Sequence, residues 1–349
     1  METKTRDGSL DFMDAWNVTP DAFPLEAGLK EQLSFVLNYA ILAPSIHNAQ
    51  PWLFAIKDNE IELFADRTRA LPVVDPDDRE LTIGCGAALF NLRIAMRMFG
   101  YRESVDLFPE PGDRDLLARV TVHYNSVLTS EDRLLFDAIP HRHTNRRPFE
   151  RRAVSPALVV ALEGAADDEG AWLHAIDEPG LHRAVVDLVK GAELMLWKDR
   201  RFRRELAAWI HPRRHGRGEG ISGSAAGLAD LASFLGPENQ PNVSQLVRTG
   251  TSEDMLDTSP GLLAVLGTPG DSAQDWVSAG QAMERVLLRA QAGGVSASFL
   301  NGPIEVRDLR PRLRDVIEQH GFPQILLRLG YGQEVEPAPR RPISEVVLS

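Results

Sequence analysis

Two stretches of the chain, 194 residues apart, carry the same punctuation. When Gly86-Ala87-Ala88 is laid over Gly280-Gln281-Ala282, Gly100-Tyr101 falls over Gly294-Val295. In both copies the residues between the glycines are helix formers with an apolar face, and the second glycine stands where a helix would be capped. Each copy then runs on to a strand-like segment ending on an aromatic residue, Tyr124 in one and Tyr331 in the other. A repeat of this size governs architecture before local propensity is weighed. It predicts two pseudo-symmetric halves, arranged as a fused version of a twofold dimer, and the seam between such halves is a natural place for a ligand.

Local signals organise the rest. Residues 1–24 are polar, contain Pro20 and Pro24, and are expected to form a loose N-terminal arm. The recurrence of Leu29, Leu33, Val36, Leu37 and Ala40 predicts a helix from about Glu26 to Leu42. It stops before Ala43-Pro44, because a residue preceding proline disfavours the helical conformation. Trp52–Ile56 and Ile61–Ala65, separated by Asp58-Asn59-Glu60, predict an antiparallel hairpin, and Thr82–Phe99 a long helix. The first half is assigned to residues 25–135 and the second to 136–349, the boundary falling at the helix that starts near Thr129 and leads to Pro140. An insertion rich in Gly, Ser and Pro at about 211–261 is too long for an ordinary connector and is expected to be a functional lid or a mobile insertion. The expected fold class is α+β, with mixed, mostly antiparallel sheets flanked by helices.

Composition narrows the partners. A length of 349 residues accommodates about two domains. The formal net charge of −12 disfavours nucleic acid and anionic membrane surfaces. The basic run Lys198–Arg204 is better read as one solvated helix face than as a nucleic-acid surface. No apolar segment approaches the roughly 18–20 residues needed to span a bilayer, and the N-terminus lacks the pattern of a secretory signal. Cys85 is the only cysteine, which excludes an intramolecular disulfide and a thiolate metal cluster and fits a reducing compartment. The expectation is a soluble, cytoplasmic protein with no nucleic-acid and no membrane partner.

Three clusters carry the chemistry. Ala43-Pro44-Ser45-Ile46-His47-Asn48-Ala49-Gln50-Pro51-Trp52 is a polar loop whose hydroxyl, amides and backbone could bond the edge of a planar heterocycle, or could simply join a helix to a strand. His47 within it is read as a satisfied structural histidine. His141-Arg142-His143-Thr144-Asn145-Arg146-Arg147, followed by Arg151 and Arg152, concentrates arginine in an acidic chain. Arginine's planar fork suits phosphate; the competing reading is a solvated basic stretch. A metal site at His141 and His143 lacks the carboxylate or cysteine spacing to complete a ligand set. The last cluster joins Gly293-Gly294 and Ser298–Pro303 to Arg328-Leu329-Gly330-Tyr331-Gly332 and Pro339-Arg340-Arg341-Pro342, small residues that let a flat ligand approach the backbone beside two arginines.

Taken in order, APSIHNAQPW, RHTNRRPF, AGGVSASFLNGP, RLGYG and PRRP resemble the nitroreductase superfamily, and more closely its Acg-like tandem members, over about residues 30–346. The resemblance implies a nitroreductase-like fold with FMN at the seam of the two halves. It assigns Arg142, Thr144 and Arg146 to an Arg-x-Ser-x-Arg motif, with threonine replacing serine, and Pro44, Ser45 and Asn48 to the loop that reaches the flavin from the other side. Ser298, Leu300, Asn301 and Gly302 would lie beside the reactive flavin edge, and Arg340 near the phosphate. The first half lacks the arginine motif and the second lacks the Pro-Ser-x-x-Asn loop, so one FMN site per chain is implied. The implied activity is hydride transfer from NADPH or NADH through the flavin to a nitro compound, quinone or similar small-molecule acceptor. The flavin carries the chemistry, so no catalytic side chain and no metal is assigned. A non-catalytic protein that sequesters FMN beneath the insertion is the alternative. The chain itself is expected to be a pseudo-dimeric monomer or a homodimer.

Overall fold

The computed structural model describes residues 14–211, 218–222 and 261–348, so most of the expected lid lies outside the described residues. In chain order, helix α1 (Leu29–Ala40) is followed by strands β1 (Trp52–Lys57) and β2 (Glu60–Ala65), helix α2 (Arg79–Met98), strands β3 (Tyr101–Leu107) and β4 (Leu116–Tyr124), and helix α3 (Ser130–Ala138). Next come α4 (Pro156–Asp167), β5 (Trp172–Ile176), α5 (Pro179–Lys198), α6 (Arg200–Trp209), and the short strands β6 (Ile210–His211) and β7 (Ile221–Ser222). The chain closes through β8 (Leu262–Thr268), α7 (Ala273–Ala292), β9 (Ser296–Phe299), α8 (Gly302–Glu305), α9 (Arg310–Ile317), β10 (Phe322–Gly330) and α10 (Ile343–Val346).

Two four-stranded sheets form, ordered β1-β2-β4-β3 and β5-β8-β10-β9. In each, the third and fourth strands of the half exchange places, and the long helix stands between the second and third. Both sheets are antiparallel throughout, in line with the mostly antiparallel sheets expected. Parallel pairing among the described residues is confined to β6 with β7 and to single bridges at Phe54–Val347 and Thr144–Ala297. Those two bridges matter. The first lays the C-terminal segment along the edge strand of the first sheet, and the second lays the arginine cluster along the edge strand of the second.

Helices α2 and α7 are each 20 residues long and 194 residues apart at both ends. They cross where glycine removes the side chain. A Cβ on Gly86 would stand 2.3 Å from the Val277 carbonyl oxygen, and one on Gly280 would stand 2.1 Å from that of Ile83. Ile83 and Val277 are themselves 194 residues apart, so the crossing is symmetric. After each helix, Gly100 and Gly294 take left-handed φ angles of 87° and 73°, which glycine adopts without strain.

One hydrophobic core spans both halves, from Leu33 and Leu37 of α1 through α2 and α7 to Leu327 and Leu329 of β10. A second, smaller core lies on the other face of the second sheet, where Leu263, Val265 and Leu326 meet Val185, Val189 and Leu313. Burial on both faces explains why β8 and β10 read as nearly continuous apolar runs, whereas β4 alternates buried and half-buried residues.

Three local expectations change. Helix α1 is shorter than predicted, because the carbonyls of Leu42 and Ala43 turn away to accept from arginines. The described part of the N-terminal arm is tied down rather than loose. Phe23 stacks on Phe99 at 4.3 Å, and Trp16 donates from Nε1 to the Ala338 carbonyl at 2.8 Å. The run Lys198–Arg204 is not one helix: it breaks at Asp199, and Phe202 turns inward beside Leu71, Val74 and Trp197.

Candidate functional site

The loop after α1 approaches the second sheet over α2. His47, Asn48 and Gln50 all have positive φ, between 51° and 55°, which costs non-glycine residues on the order of 1 kcal/mol each. The C-terminal segment holds this conformation. Arg340 donates from Nη2 to the Leu42 and Ala43 carbonyls at 3.0 and 3.1 Å and from Nη1 to Asn48 Oδ1 at 3.0 Å. The backbone N–H of Arg341 donates to Gln50 Oε1 at 2.8 Å, and its guanidinium to the Gln50 carbonyl at 3.1 Å. Within the loop, Ser45 Oγ accepts from the Gln50 N–H at 2.8 Å.

Opposite the loop lies the segment around Thr144, bridged to Ala297 of β9. Between the two sides opens a cavity of about 230 Å³. Ile83, Met283, Phe299 and Ile325 give it apolar walls, Gly84 a thin one, and Ser45, Thr144, Arg146, Asn301, Glu80 and Glu305 its polar groups. A smaller space of about 70 Å³, bounded by Asn48, Arg142, Gly220, Glu336 and Arg340, shares Pro44, Ser45, Thr144 and Arg146 with it. Together the two reach the lower end of the range of ligand pockets, about 300–1,000 Å³.

The polar groups differ in what they already hold. Arg146 makes no hydrogen bond or ion pair among the described residues, and burial lowers its pKa. It is the cation the cavity leaves without an anion. Buried Arg142 donates to the Leu42 carbonyl at 3.1 Å and faces Glu284 across 3.4 Å. Arg340 is committed to the loop. Arg147, Arg151 and Arg152 are exposed, so the arginine cluster divides into an inner pair and an outer trio. His47 is not a satisfied histidine among the described residues: its buried Nε2 has no partner there, it lines the cavity, and burial beside Arg146 depresses its pKa to about 4, keeping it neutral. His143 is also neutral, pushed down to about 3 by burial and by Arg142 and Arg340.

Pro44, Ser45, Asn48, Arg142, Thr144, Arg146, Asn301 and Arg340 thus surround one connected space, although they come from both ends of the chain. Ser298, Leu300 and Gly302 do not line it. Ser298 Oγ accepts from Arg328 at 3.3 Å, Leu300 belongs to the second core, and a Cβ on Gly302 would meet Ala192. The pleat is the reason: side chains alternate along β9 and its extension, so Phe299 and Asn301 face the cavity. Period-two reading of Ser298–Asn301 identifies Phe299. Glu80 and Glu305 carry no such signal, since an acidic residue near a helix end is ordinarily solvated.

A larger groove, about 510 Å³, opens on the other side of Glu305. Its arginines are already paired: Arg79 with Glu80, Arg307 with Asp77, Arg310 with Asp271, and Arg314 with Asp315. None of the sequence-predicted site residues lines it.

No protein-family model matches the chain. It is 32% identical over 326 residues to "Putative NAD(P)H nitroreductase Rv3131" of Mycobacterium tuberculosis, covering 91% of each chain. It is 32% identical over 328 residues to "Putative NAD(P)H nitroreductase acg" of the same organism, covering 89% of this chain and 93% of the relative. Among solved structures, the nitroreductase NfnB from Sphigopyxis sp. strain HMH, described as FMN and NADPH-dependent, aligns with a TM-score of 0.42 at 15% identity, covering 62% of this chain and 98% of its own. On the two full-length relatives, the chain belongs to the nitroreductase family.

Proposed function

We propose that the chain is an FMN-dependent oxidoreductase that takes hydride from NADPH or NADH and reduces a small-molecule acceptor such as a nitro compound or a quinone. The observation that carries this reading is a cavity with apolar walls in which Arg146 has no ion pair and His47 Nε2 no hydrogen-bond partner among the described residues, a set suited to a flat, anionic, hydrogen-bonding cofactor. The NAD(P)H nitroreductase names of the full-length relatives agree with it.

Thr144 and Arg146 would hold FMN from one side and Pro44, Ser45 and Asn48 from the other, with Arg142 and Arg340 setting the positive potential behind them. FMN, when bound, supplies hydride transfer, and the chain supplies orientation and charge. Arginine near the ring favours the extra negative charge of its reduced form. The two halves, with equal topology and equal central helices, support reading the chain as an internal duplication and a pseudo-dimeric monomer. One site per chain fits the asymmetry of the helices. Leu287 and Gln291 line a small extension beside Arg142, whereas the residues 194 positions earlier, Arg93 and Arg97, are ion-paired with Glu169, Glu103 and Asp132.

A second reading, a protein that sequesters FMN without turnover, draws on the described end of the insertion. Gln50 donates to the Gly218 carbonyl at 2.6 Å, Asn48 donates to that of Gly220 at 3.2 Å, and Gly220 bounds the smaller space. The visible spectrum of the purified protein, before and after anaerobic NADPH and NADH, decides between them. A flavin band that bleaches supports the oxidoreductase; one that persists supports sequestration; absence of a band after incubation with FMN defeats both.

A further inference from the structure

Glu305 is the one residue that lines both the 230 Å³ cavity and the 510 Å³ groove. Its half-buried carboxyl makes no hydrogen bond or ion pair among the described residues. Glu80, 5% exposed, lines the cavity beside it, held by Arg79 at 2.6 Å and by Asn301 Nδ2 at 3.3 Å. Arg79 is already bound to Glu80 and to the Gln324 carbonyl, and Arg146, on the same cavity, has no ion pair with either carboxyl among the described residues.

We propose that one of the two cavity carboxyls, Glu80 or Glu305, keeps its proton at neutral pH and delivers it to the acceptor in the cavity, with Glu305 drawing the replacement from the outer groove. This rests on the oxidoreductase reading, because that reaction creates the demand. A nitro compound that accepts hydride still needs a proton to become the nitroso product, R–NO2 + H⁻ + H⁺ → R–NO + H2O, in which one N–O bond breaks and its oxygen leaves as water. A quinone that accepts hydride needs the same proton to become the hydroquinone. Hydride supplies both electrons, NAD(P)H is oxidised, and the carboxyl is left as carboxylate until the groove reprotonates it.

The surroundings favour a retained proton. Asp75 and Glu205 add negative charge around Glu305, and Arg79 is the cation among the groups that act on the pair. Burial holds Glu80 up at about 7, and burial together with the Glu80 charge holds Glu305 well above the ordinary carboxylate range. Carboxyls that share a site cannot all ionise, which makes one of them an acid at neutral pH. From the cavity side, Arg146 and neutral His47 complete the set of facing groups.

The test compares wild type, Glu305→Gln and Glu80→Gln by two measurements. Infrared spectra of the flavin-free protein at pH 7 read the carboxylic C=O stretch directly. Rapid mixing then follows FMN-loaded protein, reduced anaerobically with NADPH, as menadione reoxidises it between pH 5 and 9. The expected result is a protonated-carboxyl band at pH 7 that each substitution weakens, with reoxidation at pH 7 slowed 10-fold or more and its pH dependence flattened. Glu305→Gln loses no internal bond among the described residues, so its melting point should match wild type even if Glu80→Gln is destabilised. Absence of the band in wild type overturns the proposal, as does unchanged reoxidation in Glu305→Gln. Failure of NADPH to reduce bound FMN, with the infrared band present, instead removes the oxidoreductase reading and the assigned role of the pair with it.

Discussion

Arg340 donates to Asn48 Oδ1 at 3.0 Å across 292 residues of sequence. Its other amino group donates to the carbonyls of Leu42 and Ala43, just past the end of helix α1, and its guanidinium lies 4.8 Å from the centre of the Trp16 ring. The C-terminus therefore sets the shape of the loop that forms one wall of the cavity. Arg340→Ala leaves the Leu42 and Ala43 carbonyls under-satisfied and should destabilise the protein by about 2–4 kcal/mol. Arg340→Lys keeps the charge but not the fork, and should recover only part of the loss. Urea denaturation of the three proteins measures both, and equal midpoints would contradict the clamp.

Gly86→Ala should be among the more damaging single-methyl additions in the molecule. The new Cβ would fall 2.3 Å from a backbone oxygen of α7, where neither helix can yield without moving its half. Overpacking of this kind costs about 1–3 kcal/mol. Gly191, in α5, has open space at the same position and no left-handed angle. Gly191→Ala should stabilise by about 0.5–1 kcal/mol, so thermal melts of the two variants should shift in opposite directions.

Replacing Arg146 separates binding from folding. The half-buried side chain has no hydrogen bond or ion pair among the described residues, so Arg146→Gln should leave the flavin-free protein at least as stable as wild type. FMN affinity should fall about 10- to 100-fold, the loss of one charge-assisted contact. Quenching of FMN fluorescence during titration gives the affinity, and an unchanged value would remove Arg146 from the site.

Glu284 predicts how stability follows pH. The carboxyl is fully buried, and burial pushes its pKa up to about 7 although Arg142 at 3.4 Å and Asn91 pull it down. The folded state therefore holds a proton that the unfolded chain releases near pH 4.5. Stability from this group is complete below about pH 4.5, declines as pH rises, and is lost above about 7, a change on the order of 2–3 kcal/mol. Glu80 acts in the same direction, whereas Asp271, held down to about 2 chiefly by Arg310, adds stability above pH 4 that disappears on acidification. Glu284→Gln should flatten the slope between pH 5 and 7 in denaturation curves, and an unaltered slope would count against a protonated Glu284.

The amino-acid sequence by itself determined the scaffold and the pieces of the site. The repeated glycines marked two matching helices, whereas the symmetric crossing at Gly86 and Gly280 came only from the structure, where the missing Cβ lets two backbones meet. An apolar run marked β1, alternation marked β2 and the repeat marked β4, and the Pro-Ser-x-x-Asn and arginine segments could be placed by their chemistry because both are local patterns. Tertiary structure decided which of those pieces share a cavity and what each is free to do. Arg142 and Arg340 look equivalent to Arg146 in the sequence, yet the fold commits Arg142 to Glu284 and Arg340 to the loop, and leaves Arg146 without a hydrogen bond or ion pair among the described residues. Likewise, Glu80 and Glu305 are ordinary acidic residues until folding brings them to one cavity and removes the water that would otherwise keep them charged. Pairing and desolvation depend on neighbours hundreds of residues away, and no local pattern in the chain records them.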